Sequence, residues 1–576
     1  MLRPARFIST VLLCALTPAC MPTSHAPAAR CPEVQAAVAA SPAPPTKAAL
    51  PADAAPSDAI KPEDAAKETH CSLTDQPDVD RAYLEKPVTL RPGVGNVSFK
   101  VTTRSAQAQA FFNQGLAYVH SYVWLEAARS FHQAQRLDPT LAMAWWGLAK
   151  AELGMRQNEH AKAAIDRAKS LASNASPREQ RYIDLLAEQR DAIFAPTEQL
   201  KKKHEALKAS IDKALAEYPK DPELWVLRAN VDTDAAGKGQ GGNMASVAFY
   251  KAVLELEPRH LGAHHYLVHS YEMAGRYTDA MTHARIYASA APNVPHAQHM
   301  LGHVLPRTGA WAEALTQFEK ADQLHQTYER AENVRPGDDW HHSHNLDLLA
   351  FMYVRLGRYA EAESVFRRGL ALPIYDMSWE GFHAPLIEFL LLRGRHAEAL
   401  EQARQMAKRG TGSGPIVGHA LAAEALLALG RRDEASAAAK AAAEALALTT
   451  QEKTRNARRL KEYFEDYVTQ AQAEVDLWGP QPEQAEKALI RTLDWVTKSS
   501  SVDGWGVGLF LLERVATEAK RAGRTGLVTS LHEFMRRADP SYVPGTASGM
   551  IPGAAGKAAE AAHSPNAKAA LLFGLD

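Results

Sequence analysis

Residues 111–139 read FFNQGLAYVHSYVWLEAARSFHQAQRLDP, and the spacing within that run decides the fold. Phe111, Gly115 and Tyr118 recur at helical intervals on a first helix, Ala127 and Phe131 on a second, and Pro139 closes the unit. The next copy starts at Trp145 with Leu148 and Ala149; others start near Trp225, His264, Gln298, Leu346, His383 and His419. Gly275, Gly309, Gly357, Gly394 and Gly430 each fall between the two helices of a copy, at successive steps of 34, 48, 37 and 36 residues. The long step marks an insertion near 326–340, QTYERAENVRPGDDW, and Pro258, Pro292 and Pro373 end second helices.

This is the tetratricopeptide (TPR) pattern. It implies an all-α fold, a right-handed superhelical solenoid in which each helical hairpin buries its apolar side on the next. The solenoid is expected over 105–445, with C-terminal helical repeats over 446–544 ending in a copy around Gly523 and Pro540, and a flexible Gly/Ala-rich tail over 545–576. Ahead of it, 76–104 reads as a short irregular or β segment, because VTLRPGVGNVSFKVTT at 88–103 has the alternation of a strand or hairpin.

Arg3 and Arg6 followed by the apolar run Phe7–Leu16 make residues 1–19 a signal peptide, so the protein is expected to be exported, to the cell envelope or beyond. Ala19-Cys20 fits either lipoprotein processing, with Cys20 lipidated and anchoring the chain to a membrane, or ordinary cleavage. Residues 20–75 form an Ala/Pro-rich linker too poor in apolar side chains to bury a core. All four cysteines (Cys14, Cys20, Cys31, Cys71) precede the repeats, which excludes a thiolate site within them. A net charge of −1 gives no footprint for nucleic acid.

Twelve of the 23 histidines lie between His260 and His344. His265 and His269 stand four apart, as do His299 and His303, and both 299 − 265 and 303 − 269 equal 34. Four-residue spacing stacks two side chains on one helix face, and a step of one repeat sets the second pair beside the first. In the repeat's numbering the inner face of a first helix carries the second, fifth, ninth and twelfth places. His265 and His299 hold the fifth, His269 and His303 the ninth, Glu272 the twelfth and His296 the second. All four paired imidazoles are expected to converge in the concave groove, flanked by His344, Asp347 and Glu388, with Glu424 one copy further on. Imidazole and carboxylate without thiolate suit zinc, copper, iron, manganese or nickel.

The metal ligands expected are therefore His265, His269, His299, His303, Glu272, Asp347 and His344. Tyr266, Tyr271 and Arg307 are candidate acid, radical or anion-binding partners beside them. His264, His383 and His419 take the aromatic packing place, and His325, His341 and His342 are expected at the surface of the insertion. There is no HExxH signature, since Tyr266 stands where its glutamate would be, and no phosphate-binding loop. Two functions remain open: a scaffold that binds a protein or peptide in a metal-bearing groove, and a metalloenzyme, oxidative or hydrolytic.

The stretch Thr102–Gly357 also resembles a group of bacterial exported or envelope TPR proteins. The resemblance is carried by AQAFFNQGLAYVHSYVWLEAARSFHQAQRLDPTLAMAWWGLA at 108–149, HHYLVHSYE at 264–272, HAQHMLGHVLPRTG at 296–309 and HHSHNLDLL at 341–349, in that order. It implies that His265, His269, Glu272, His299, His303, His344 and Asn345 occupy motif positions. Met300-Leu301-Gly302-His303 departs from the group's Met-Pro-Ser-His, and Asp347 stands where another His often follows. The resemblance names no reaction.

Overall fold

The computed structural model describes residues 79–155, 157–235, 244–335, 338–372, 384–408, 413–451, 455–497, 504–540 and 542–544. The expected signal peptide, linker and cysteines, Pro373, His383 and the tail over 545–576 lie outside them.

After a short helix α1 (Arg81–Leu84) the described chain is a succession of helical hairpins. The first four are α2 (Ala106–His120) with α3 (Trp124–Leu137), α4 (Ala142–Gly154) with α5 (Asn158–Ser170), α6 (Pro177–Ile193) with α7 (Thr197–Glu217), and α8 (Pro222–Ala235) with α9 (Met244–Leu256). Then come α10 (Leu261–Met273) with α11 (Tyr277–Ala290), α12 (Pro295–Val304) with α13 (Trp311–Glu332), and α14 (Trp340–Arg355) with α15 (Tyr359–Ala371). The last are α16 (Ala384–Leu392) with α17 (His396–Ala407), α18 (Gly414–Ala428) with α19 (Arg432–Thr449), α20 (Arg455–Asp476) with α21 (Pro482–Leu493), and α22 (Leu509–Arg521) with α23 (Thr525–Ala538). Helices pack mainly on their chain neighbours, as a TPR-like solenoid requires. Among the described residues no helix is long and apolar enough to cross a membrane.

The glycine of the first helix has a packing cause. A Cβ placed on Gly115 or Gly147 would come within 2.7 or 2.3 Å of the Phe131 ring, so the two glycines make room for the large apolar residue of the second helix. The turns repeat one geometry. Gly275, Gly309, Gly357, Gly394, Gly430 and Gly523 are all left-handed, and the residue after each donates its N–H back five positions, as Arg276 does to Tyr271 O at 2.8 Å. The first hairpin makes the same turn, Val123 N–H to Tyr118 O at 3.0 Å, with Tyr122 at φ 58° in the glycine's place.

The structure sharpens the expectations at four places. Residues 88–103 pair with no strand: Gln114 bonds Arg91 N and Thr89 O, and Gln109 bonds Val101 N and Phe99 O. Helix glutamines thus take the backbone groups that a strand partner would take. The hairpin α6–α7 is a copy that the motif spacing did not mark. The insertion lengthens α13, which runs to Glu332 and stops at the left-handed Asn333. The division expected at 445 falls inside α19.

Candidate metal centre

The site is built on three first helices, α10, α12 and α14, and closed by the turn between α2 and α3. Two triads of imidazoles form there. One ligand atom from each of His265, His269 and His296 lies within 4.8 Å of the others, and the same holds for His299, His303 and His344. The four paired histidines therefore do not share one point. Each pair at places five and nine is completed by the second-place histidine of the next copy, because that residue begins the neighbouring inner helix and reaches back across the seam.

In the first triad the Nε2 atom of His265 lies 3.1 Å from that of His269 and 3.0 Å from that of His296. Zn–N bonds of about 2.0–2.1 Å in tetrahedral geometry put ligand nitrogens about 3.3 Å apart, so the three rings are already close to coordination distance. His265 donates Nδ1–H to the carbonyl of His120 at 2.6 Å, which fixes its tautomer and turns the Nε2 lone pair inward. Burial pushes His265 down to about 3, and His269 and His296 well below the usual imidazole range. All three are neutral at pH 7, the form that ligates. Aromatic rings enclose them: Tyr287 stacks on His265 at 4.7 Å, and Tyr122 lies 4.7, 5.8 and 6.1 Å from His265, His296 and His269.

The second triad is supported differently. His303 donates Nδ1–H to Glu272 Oε1 at 2.6 Å, and both side chains are buried. His299 donates Nδ1–H to Asn345 Oδ1 at 3.0 Å, while the Asn345 amide donates to Phe318 O. With Nδ1 engaged in both rings, Nε2 is the atom left to ligate. Burial, with His344 and His303 beside it, holds His299 well below its ordinary range.

Glu272 thus stands behind His303 and belongs to neither triad. Asp347, also buried, stays outside both triads, beside Gly369 of α15. Glu388 and Glu424 belong to another place altogether, where Arg514 of α22 reaches them at 3.5 and 3.0 Å. Tyr266 donates towards His120, Tyr271 stacks on His283, and Arg307 sits over Tyr277.

His296 stood at the second place but was not counted as a ligand. His120 fills the space over Gly262, where a Cβ would meet its Nδ1 at 2.4 Å, and joins His260 on Glu223. This third cluster closes on itself: Ala263 N–H is donated to His260 Nδ1, so His260 gives its Nε2–H to the carboxylate. Burial would raise Glu223, yet the two imidazoles hold it well below the usual range. The insertion histidines are buried, not surface. His325 bonds Asp339, His342 bridges Glu329 and Asp322, and His341 packs 4.5 Å from His296. Tyr122 had a legible signal, being a tyrosine at a position where six later copies keep glycine.

Fold and site together define an all-α TPR-like repeat protein with two adjoining histidine triads. No protein-family model matches the chain, and no curated protein sequence does. Among solved structures it is similar to yeast Tom70, with 13% identity over 76% of this chain and 91% of that one at a TM-score of 0.36. It is also similar to a monomeric mutant of IFIT1 with Gppp-AAAA, with 13% identity over the same shares at a TM-score of 0.34. The repeat assignment rests on the hairpins and turns described above.

Proposed function

We propose that this protein is an exported helical-repeat scaffold that binds divalent transition metal at its paired histidine triads and docks a protein or peptide partner against the repeat surface. The convergence of His265, His269 and His296, and of His299, His303 and His344, carries the metal half of this reading. Support for the partner half is the architecture, since stacked hairpins present extended surface for binding. Export rests on the N-terminal pattern, with either lipidated Cys20 and membrane attachment or ordinary cleavage. The histidine motifs shared with the bacterial envelope group agree with it.

A second reading, a metalloenzyme, is favoured by one observation: each triad offers three protein ligands, the number that catalytic zinc sites use while keeping a fourth position for water. Untagged protein analysed for bound metal tests the first reading. Wild type is expected to hold zinc, copper, iron, manganese or nickel, and His269→Ala and His303→Ala each to lose a share of it. A metal-free wild type that takes up none of these ions on dialysis sinks the reading. Azide added to cobalt-substituted protein separates the two functions, because only a site with an exchangeable position changes its visible spectrum.

A further inference from the structure

The two triads differ in what stands behind them. The second carries a buried carboxylate, Glu272, 2.6 Å from His303 Nδ1. A carboxylate there offsets ionic charge and makes the imidazole a better donor. Among the described residues the first triad has no such partner: His265 leans on a neutral carbonyl, His296 Nδ1 is buried without a partner, and no carboxylate hydrogen-bonds to any of the three rings. Its walls are the rings of Tyr122 and Tyr287 and the buried imidazole of His341, 4.5 Å from His296.

Charge decides between ions in such a pair. The cost of desolvating an ion grows with the square of its charge, so a dication in a neutral, aromatic-walled set costs about four times as much as a monocation of the same size. Of the transition ions that imidazole suits, copper is the one with an accessible monovalent state. Three neutral imidazoles also satisfy a cuprous ion without a fourth ligand.

We infer that the triads take different ions: the His299/His303/His344 set a divalent ion such as zinc, and the His265/His269/His296 set cuprous copper. This rests on the metal-binding reading above and replaces its divalent ion by a monovalent one at the first triad. Apo protein would be titrated with Zn(II) against a colorimetric chelator and, under anaerobic conditions, with Cu(I) against bicinchoninate. One tight zinc per chain is expected, weakened roughly 10–100-fold by Glu272→Gln and unchanged by His269→Gln. One tight copper per chain is expected, lost in His269→Gln and unchanged in Glu272→Gln. Circular dichroism of each variant confirms that it is folded, and Glu272→Gln preserves side-chain volume. Two zinc ions of equal affinity, or cuprous binding that follows Glu272→Gln, overturn the assignment while leaving the scaffold a metal protein. Binding of neither ion overturns the assignment, and the metal-binding reading falls with it only if copper(II), iron, manganese and nickel are not taken up either.

Discussion

Tyr122 sits in the left-handed region at φ 58°, where six later hairpins place glycine. For a non-glycine residue that conformation costs roughly 1–2 kcal/mol, and the ring it positions covers the first triad. Stacking returns about 0.5–1.5 kcal/mol, so the two terms nearly cancel. Tyr122→Gly is therefore expected to leave Tm within a few degrees of wild type while speeding metal release from the first triad to an external chelator. Slower or unchanged release in stopped-flow measurements would show that the ring is not a cover. Gly262→Ala tests the neighbouring contact. Its Cβ would strike His120 Nδ1 at 2.4 Å, so a loss of about 1–3 kcal/mol is expected by urea denaturation.

At the level of elements, α13 and α14 show why an insertion can carry buried histidines. His342 of α14 lies between Glu329 and Asp322 at 2.6 and 2.9 Å, and Arg368 of α15 also bonds Asp322. Burial opposes its charge, but the two carboxylates prevail and push His342 up to about 9. A folded value above the unfolded one of about 6.5 means that this contribution is complete below that pH and fades as pH rises through about 9. Stability measured by denaturant titration should therefore fall across pH 6.5–9 in wild type, and this slope should flatten in His342→Ala. That variant leaves two carboxylates unbridged and should lose about 3–5 kcal/mol at pH 7. The register of the inner helices was legible in sequence, because turn glycines and paired histidines share one step. Each triad's third histidine was less so. The reach of His296 and His344 back to the preceding copy depends on how neighbouring inner helices lean together, which residue spacing alone does not specify. His120 was out of reach, since it enters from a hairpin 145 residues away from its partner His265.

Across the whole repeat array, the C-terminal hairpin does more than end the stack. α22 packs on α16, and Arg514 takes the carboxylates of Glu388 and Glu424, with Glu474 nearby. Those inner-face residues read as metal neighbours in sequence because the return of a helix 126 residues later leaves no local trace. Arg514→Met strands buried carboxylates and should cost about 3–5 kcal/mol by thermal or denaturant unfolding. A loss below 1 kcal/mol would mean that the cluster is neutralised by protonation instead. Arg355 of α14, fully buried, makes a parallel tie to Trp505 O and Asp539 at 2.8 and 2.7 Å.

The bond between the His120 carbonyl and His265 has one more consequence, shared with the ties of Arg355 and Arg514. A chain of repeats that touch only their neighbours can unzip from either end, one unit at a time. Here hydrogen bonds and ion pairs join positions 126, 145, 150 and 184 residues apart. Closing loops of that size slows folding, and their loss removes several packed hairpins together. The described helical array should melt in one concerted step, with the far-ultraviolet helical signal and tryptophan fluorescence changing at the same temperature.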